Sequence, residues 1–281
     1  MQIIKELPLL KKIIKDVKKK NDSIGFVPTM GFLHEGHLSL MRTAKAENDF
    51  MVMSIFVNPL QFGVGEDYEE YPRDLDRDEK LARSVGCDLM FLPTAKDMYP
   101  AGYATFVQVE KLTERLCGAS RPGHFNGVTT VVAKLFNLVS PDRAYFGQKD
   151  AQQAFVLRKM VQDLNMDLNL IILPTKREPD GLAMSSRNKY LTPEQRKNSV
   201  VINESLKLAE ELAGKGVKDA LQIKKAIHDK ISKAKDARID YLEIVDTDKL
   251  LPLSKIEGQC LIAAAVYFGK TRLIDNIILE V

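Results

Sequence analysis

The ten residues from Pro28 to His37 combine side chains and backbone positions that suit phosphate binding. They follow a short apolar strand, and a helix is predicted to begin near His37. The start of a helix offers N–H donors and the positive end of its dipole to an anion. Gly31 and Gly36 allow the backbone to approach a phosphate closely. His34 and His37, three residues apart, can face the same way and donate to phosphate oxygens.

Paired histidines also bind metals, so a zinc site is an alternative for the same segment. Such a site needs at least one further ligand, and no third Cys, His or carboxylate stands at a supporting spacing. Phosphate binding is therefore the favoured interpretation. The sequence has neither a Walker A motif nor a G-x-G-x-x-G motif, which disfavours P-loop and dinucleotide-binding proteins.

A second polar segment, Gly181 to Asn188, reads Gly-Leu-Ala-Met-Ser-Ser-Arg-Asn. Hydroxyl side chains followed by an arginine supply donors that suit a polyphosphate. The segment is weak evidence alone, because Ser-Ser-Arg is common in surface loops. Together with the upstream His-x-Gly-His it resembles the paired signatures of the nucleotidylyltransferase superfamily, which includes class I aminoacyl-tRNA synthetases. In that superfamily the two signatures bind ATP from opposite sides.

Four further stretches make the resemblance more specific. They are Phe-Val-Asn-Pro-Leu-Gln-Phe at 56–62, Arg-Pro-Gly-His-Phe-Asn-Gly-Val at 121–128, Phe-Gly-Gln-Lys-Asp-Ala-Gln-Gln at 146–153, and Arg-Glu-Pro-Asp-Gly at 177–181. In this order they are similar to the pantothenate synthetase family. The resemblance implies an enzyme that joins (R)-pantoate to β-alanine with ATP through a pantoyl-adenylate, releasing AMP and pyrophosphate. It also implies Mg²⁺ as cofactor, and its ligands are not identifiable from the sequence.

The resemblance assigns the catalytic roles to His37, His34 and Lys149, which would bind and neutralise the ATP phosphates. His37 is the expected proton donor. Ser185, Ser186 and Arg187 would close over the phosphates from a second domain. The complete set implied for ATP binding is Met30, Gly31, His34, Gly36, His37, Gly147, Gln148, Lys149, Asp150, Lys176, Met184, Ser185, Ser186 and Arg187.

Pantoate and β-alanine are assigned by the same resemblance to amide side chains. Gln61 and Gln153 would bind pantoate, Gln61 also lying near β-alanine, and Asn58 would help to orient them. Arg121 and His124 belong to a family motif without an assigned role. Lys176 departs from the family pattern, in which a small apolar residue stands beside the adenine, so a contact there is expected through the backbone.

The elements that must position these residues alternate between strand and helix. Apolar strands are predicted near 24–27, 50–57, 89–92, 144–146 and 168–173, with helices between them. Uninterrupted apolar strands of this kind are typical of a parallel sheet covered on both faces. The fold class is therefore α/β: a doubly wound, Rossmann-like N-terminal domain at 1–175, with a smaller α+β C-terminal lid domain at 176–281.

Two local interpretations complete the chain. Thr192 and Pro193 predict a helix start, with a long helix reaching towards Leu212, and three strands close the sequence near 239–245, 260–268 and 273–279. The acidic residues at 74, 76 and 78 are expected to form a solvated segment at the start of a helix.

Composition narrows the range of partners. The 281 residues include 41 basic and 38 acidic ones, and a formal charge of +3 is too small to indicate a nucleic-acid partner. No apolar run approaches the length of a membrane span. Three scattered cysteines form no disulfide framework, and a cytoplasmic protein with reduced thiols is expected. The expected partners are the small molecules ATP, pantoate and β-alanine, and the resemblance implies a homodimer.

Two other functions remain open from the sequence. The first is another adenylyl- or cytidylyltransferase of the same superfamily, whose product would retain the nucleotide. The second is a non-enzymatic RNA-binding relative of the tRNA synthetases, which the near-neutral charge disfavours.

Overall fold

The computed structural model describes all 281 residues, which fall into two compact units. Unit 1 contains Met1–Glu110, Arg121–Gly147 and Val156–Pro174, and unit 2 contains Lys111–Ser120, Gln148–Phe155 and Thr175–Val281. The two short segments 111–120 and 148–155 thus group with unit 2, whereas the sequence division places them in the first domain. The division into two domains near residue 175 stays a prediction.

The chain forms nine strands and ten helices. The strands are β1 Gln2–Ile4, β2 Ile24–Thr29, β3 Phe50–Ile55, β4 Leu89–Phe91, β5 Arg143–Gly147, β6 Asn169–Leu173, β7 Ala237–Asp246, β8 Gln259–Phe268 and β9 Thr271–Glu280. The helices are α1 Leu7–Lys18, α2 Glu35–Glu47, α3 Leu75–Ser84, α4 Ala95–Met98, α5 Cys117–Ser120, α6 His124–Val139, α7 Ala151–Asp163, α8 Pro193–Asn198, α9 Val201–Gly214 and α10 Ala220–Ile231.

Unit 1 is built on a parallel sheet with the order β1-β4-β3-β2-β5-β6. The five strands from β2 to β6 have the doubly wound arrangement, and the order reverses between β2 and β5. Ligands of such sheets bind outside the carboxyl ends of the strands at this switch point. The predicted parallel α/β sheet is confirmed. The switch point lies where β2 leads into the segment that ends at His37.

Pairing along β2 is unequal on its two sides. β2 pairs with β3 over all six residues, from Ile24 to Thr29, but with β5 only at Gly25 and Phe26. Pro28 has no N–H to donate to a ladder, and the pairing with β5 ends before it. The carboxyl ends of β2 and β5 are therefore not held together by backbone hydrogen bonds. The gap between these two strand ends lies where a nucleotide-binding crevice is expected.

The core of unit 1 on one side of the sheet joins strand residues to α2. Val27, Met51 and Met53 pack in the same buried cluster as Leu38 and Met41 of α2. Burial of such side chains stabilises by about 1.5–3 kcal/mol each. The cluster packs α2 against the sheet, and the two candidate histidines stand at the N-cap and in the first turn of α2.

Unit 2 contains an antiparallel sheet with the order β7-β8-β9. Helices α9 and α10 bury Ile202 and Ile223 in one cluster with Ile262 and Val266 of β8. The predicted helices followed by strands are confirmed as an α+β arrangement. None of the helices in the protein is both long and apolar enough to cross a membrane.

Three local features differ from the sequence predictions. β1 was not predicted, because three residues are too short to show a periodic pattern. The long helix expected from Thr192 is two helices, α8 and α9, although the predicted N-cap of Thr192 is confirmed by a capping box with Gln195. Asp78 is buried at 1% exposure, so the expectation of a solvated acidic segment is wrong for this residue.

Candidate active site

The loop between β2 and α2 carries the phosphate-binding candidates, and its path depends on Gly31. This residue has φ +82°, and a Cβ placed on it would lie 2.8 Å from the Ile55 side chain and 3.0 Å from Asp78 Oδ2. The Gly31 N–H donates to Thr29 Oγ1 at 3.1 Å, and Thr29 Oγ1 donates to the carbonyl of Ser54 at 2.8 Å. The loop turns sharply away from the sheet at a point where only glycine fits.

Asp78, on α3, holds the backbone of the same loop. Its two carboxylate oxygens accept hydrogen bonds from the backbone N–H groups of Phe32 and Leu33, both at 2.7 Å. Burial raises the pKa of Asp78, and the two backbone N–H donors only partly offset this effect. The residue thus holds the loop at a cost in desolvation, a contact that sequence reasoning missed. A signal was present, because Asp78 and the buried Ala82 stand four residues apart on one face of α3.

His34 and His37 form a capping box at the start of α2. His34 Nδ1 accepts from the N–H of Gly36 at 3.1 Å, and His37 Nδ1 accepts from the N–H of His34 at 3.3 Å. A ring nitrogen that accepts a hydrogen bond carries no proton, so in the neutral rings both protons are on Nε2. The ring centroids are 4.0 Å apart. The two imidazoles therefore lie together at a helix N-terminus, which is a favourable environment for phosphate oxygens.

Asn58 fixes the orientation of Gln61 in the loop that follows β3. Asn58 Oδ1 accepts from the N–H of Leu60 at 3.2 Å, and its Nδ2 donates to the carbonyl of Gly127 at 3.0 Å. Nδ2 also donates to Gln61 Oε1 at 3.3 Å, and Gln61 Nε2 is 2.8 Å from Met30 Sδ. The structure thus brings Met30, Asn58 and Gln61 together. Because Gln61 Oε1 accepts from Asn58, its amide N–H₂ is the donor end that faces away from Asn58.

Arg121 and His124 support the backbone of Gln61 from the other side. His124 Nδ1 donates to the carbonyl of Gln61 at 2.7 Å, so its Nε2 accepts from Arg121 Nη1 at 3.1 Å. Arg121 also forms two bonds with the carboxylate of Glu66, at 2.6 and 2.5 Å. Burial raises the pKa of Glu66, but the hydrogen bonds and charge of Arg121 outweigh it, and the pKa is lowered overall. This cluster gives the family motif at 121–128 a positioning role that the sequence did not reveal.

Gly127 allows α6 to approach the Gln61 loop. A Cβ on Gly127 would lie 2.2 Å from the carbonyl oxygen of Leu60 and 2.6 Å from the backbone nitrogen of Gln61. No side chain can be accommodated against backbone atoms at these distances. The close approach explains why a glycine occurs inside the first turns of a helix.

In unit 2 the candidates from Gln148 to Asp150 form a 3₁₀ turn before α7, directly after Gly147 at the end of β5. Lys149 is largely buried, with 20% of its side chain exposed, and its Nζ is 3.6 Å from Asp150 Oδ2. Gln153 lies half-buried in the first turn of α7. The backbone carbonyls of Gln148 and Lys149 both accept from Nδ2 of Asn276, at 2.9 Å each.

The segment from Gly181 to Asn188 of unit 2, called the serine segment below, begins in a tight hairpin. The N–H of Met184 donates to the carbonyl of Lys176 at 3.0 Å, and Arg177 pairs with Ala183. Ser185 caps a 3₁₀ turn that runs from Ser186 to Tyr190, and Arg187 is half-buried within it. Lys176 has an exposed side chain. The departure from the family pattern at Lys176 therefore adds no bulk to the interior of unit 2.

No group of three or more His, Cys, Asp or Glu side chains in the protein is arranged to hold a metal ion. The residues present do not offer a protein-ligated Mg²⁺ site, and no residue is assigned as a magnesium ligand. The predicted Mg²⁺ is compatible with a metal that ATP carries on its phosphates, where most ligands are phosphate oxygens and water.

Comparison with known proteins identifies the family. The profile of the pantoate–β-alanine ligase family matches residues 2–278. The chain belongs to this family. The pantothenate synthetases of Acetivibrio thermocellus and Moorella thermoacetica are similar to it, 58% and 56% identical over 281 residues. Both alignments cover 100% of this chain, and they cover 100% and 99% of the respective relatives.

Solved structures of the family agree with the fold. A pantothenate synthetase from Thermus thermophilus superposes with a TM-score of 0.94 at 48% identity, covering 99% of both chains. A pantoate–β-alanine ligase from Francisella tularensis, complexed with β,γ-ATP and β-alanine, gives a TM-score of 0.81 at 35% identity and covers 99% of this chain and 97% of that one. The predicted family, the fold class and the enzyme class of ATP-dependent ligase are confirmed.

Proposed function

We propose that this ligase condenses (R)-pantoate with β-alanine through a pantoyl-adenylate, releasing pyrophosphate in the first step and AMP in the second. Condensation of the two acids with ATP is the activity of its family. The Francisella relative binds an ATP compound and β-alanine, and we assign both substrate types to this chain. The observation that best supports adenylate chemistry is the capping box that places the imidazoles of His34 and His37 together at the N-terminus of α2, beside the switch point.

In the first step the carboxylate of pantoate attacks the α-phosphorus of ATP and pyrophosphate leaves. The attacking carboxylate is already ionised, so no general base is required. The protein must align the reactants and stabilise the charge that grows on the phosphate oxygens. We assign this stabilisation to His34, His37 and Lys149, with Arg187 as a further donor. Mg²⁺, carried by ATP, would supply additional neutralisation of the phosphate charge.

Pantoate and β-alanine both carry a carboxylate, which requires hydrogen-bond donors. The amide oxygen of Gln61 accepts from Asn58, and its N–H₂ group donates one proton to Met30 Sδ and has a second proton for a carboxylate. We therefore propose that Gln61 binds a substrate carboxylate, with Gln153 as a second pantoate-binding amide.

In the second step the amine of β-alanine attacks the carbonyl carbon of the acyl-adenylate and AMP departs. The intermediate is sensitive to water, so a closing element would protect it. We retain the serine segment around Ser185 to Arg187 as the proposed lid. A homodimer and a cytoplasmic location also remain proposals, the latter supported by three buried cysteines that are all free thiols.

The deciding experiment supplies ATP and Mg²⁺ with pantoate alone and then adds β-alanine, with pyrophosphate and AMP assayed separately. The proposal expects pyrophosphate that depends on pantoate, and stoichiometric AMP only after β-alanine is added. A product that retains the nucleotide would identify another nucleotidylyltransferase of the superfamily. Folded protein without pantoate-dependent pyrophosphate would refute the substrate assignment.

A further inference from the structure

Two adjacent polar residues of β9, Asp275 and Asn276, hold the ATP-binding candidates of unit 2. We propose that they are positioning residues for the ligase reaction: Asn276 sets the backbone that carries Lys149, and Asp275 sets Arg177 at the base of the serine segment. The inference rests on the proposed role of Lys149 in binding the ATP phosphates. Neither residue belongs to any of the motifs that carry the family resemblance.

Asn276 acts on the 3₁₀ turn that contains Lys149. Its side chain is buried, at 4% exposure, and its Nδ2 donates to the carbonyls of both Gln148 and Lys149 at 2.9 Å. An N–H₂ group has two protons, so both are used on these two carbonyls. Oδ1 of Asn276 in turn lies 3.4 Å from Nε2 of Gln148. One side chain therefore hydrogen-bonds to the carbonyls of two consecutive residues and restrains the Cα of Lys149.

Asp275 acts on the neighbouring hairpin. Its carboxylate is 3% exposed and makes a bidentate pair with Arg177, at 2.6 and 3.0 Å. Arg177 also donates to the carbonyl of Gly181 at 3.2 Å, which lies at the turn of the hairpin leading to Ser185. The backbone N–H of Asn276 donates back to Asp275 Oδ1 at 2.8 Å. The two β9 residues are thus linked to each other as well as to the two segments.

The electrostatics of Asp275 connect the same groups. Burial raises the pKa of Asp275, while Arg177 and, more weakly, Lys149 act in the opposite direction by favouring the ionised carboxylate. A lysine has a long flexible stem, and its ammonium is useful to a transition state only if little ordering is left to occur on binding. The backbone fixed by Asn276 reduces that ordering.

The test is a double-mutant cycle with Asn276→Ala, Lys149→Ala and the double variant, measured as pantoate-dependent pyrophosphate release. Lys149→Ala is expected to lower kcat/KM for ATP about 100- to 1,000-fold. Asn276→Ala should lower it about 10- to 100-fold, because a displacement of about 1 Å is enough for such a loss. If Asn276 acts through Lys149, the double variant falls no more than about 3-fold below Lys149→Ala.

Ser205→Ala is the matched control, because it removes another buried hydrogen bond of unit 2, from the Ser205 hydroxyl to the carbonyl of Ile202. It should lower the melting temperature without the loss of kcat/KM. If Asn276→Ala does not fold, Asn276→Ser, which retains a single donor, takes its place in the cycle.

The outcomes separate the positioning role from the proposed function. Losses that multiply in the double variant would overturn the positioning role of Asn276 while leaving Lys149 as an ATP-binding residue. Full activity of Lys149→Ala would refute the proposed role of Lys149, and the inference with it. Absence of pantoate-dependent pyrophosphate release in the unmodified protein would refute the proposed function itself.

Discussion

Replacing Asp78 by asparagine is expected to impair adenylation more than it impairs stability. The carboxylate accepts two backbone N–H groups of the histidine loop at 2.7 Å. An asparagine of the same shape has one oxygen, so one N–H keeps its acceptor and the other faces an amide N–H₂. Losing a hydrogen bond to a charged group and leaving a buried donor unpaired costs about 1.5–3 kcal/mol.

Part of that cost is returned, because Asp78→Asn also removes a buried charge. The pKa of Asp78 is raised by burial, so ionisation of this carboxyl opposes folding. The stabilising contribution of the protonated carboxyl is complete below the ordinary aspartate pKa, about 3.9. It is lost as the pH rises through the raised pKa of the folded state. At neutral pH the net destabilisation should therefore be about 1–2 kcal/mol. The stability of Asp78→Asn should also lack this step in its pH dependence.

Adenylation is expected to fall about 10- to 100-fold, because the displaced loop moves the imidazoles of His34 and His37 away from the phosphates. Urea unfolding measures the free energy of unfolding, and pantoate-dependent pyrophosphate release measures adenylation. Asp76→Asn is the matched control, since Asp76 is exposed on the same helix and its replacement should change the free energy of unfolding by less than about 0.5 kcal/mol. Unchanged adenylation in folded Asp78→Asn would refute the assignment of Asp78 as the anchor of the loop.

Three further changes test the same unit. Gly127→Ala should raise KM for pantoate at least about 10-fold, because its Cβ would lie 2.2 Å from the carbonyl of Leu60 and displace the Gln61 loop. Glu66 has a lowered pKa through Arg121, so the stability that this pair gives the loop is present above the ordinary glutamate pKa, about 4.3, and is lost as the pH falls through the lowered value. KM for pantoate should rise in that acid range, and Glu66→Gln should remove the dependence. His37→Ala should reduce single-turnover adenylation by two or more orders of magnitude, roughly 3 kcal/mol in the barrier, with the fold intact.

Each change has a control elsewhere in the chain. Gly214→Ala adds a methyl group to a helix glycine with no atom within 4 Å of the new Cβ. Glu69→Gln removes an exposed carboxylate near the Glu66 loop, and His228→Ala removes an exposed imidazole. An unaltered KM in Gly127→Ala, or an acid-range rise of KM that persists in Glu66→Gln, would contradict the proposed support of Gln61. Near-normal adenylation in His37→Ala would remove that residue from the mechanism.

The parallel sheet was predictable because its strands are buried on both faces and read as unbroken apolar runs. β2 and β3 show this most clearly. Residue types alone favour phosphate binding for the segment that follows β2, and that function stays a prediction. The proximity of the two histidine rings was also predictable, because side chains three residues apart at the start of a helix are neighbours. The hydrogen bonds that set their tautomers were not predictable, because they depend on the loop backbone.

Residues that act through other residues were missed. The sequence predicts a solvated segment for Asp78 because it stands in an acidic run with Asp74 and Asp76. Those two residues are exposed in the structure, whereas Asp78 lies on the buried face of α3. Arg121 and His124 contact Gln61 across a long sequence separation, which no local pattern reveals. Asp275 and Asn276 left a trace in the sequence, two adjacent polar residues inside an apolar strand. Their partners became visible only when β9 was seen beside the 3₁₀ turn and the hairpin.

The dependence of both proposed ATP-binding segments of unit 2 on β9 bears on how the protein is made. A ribosome releases the chain in order, so Lys149 and Arg177 emerge long before the strand that holds them. Until β9 has left the exit tunnel and paired with β8, the carbonyls of Gln148 and Lys149 lack the Asn276 donor and Arg177 lacks its carboxylate. A nascent chain can thus complete the sheet of unit 1 before its lysine is in place. Truncated chains that end before Asp275 should fold in part and turn over no ATP.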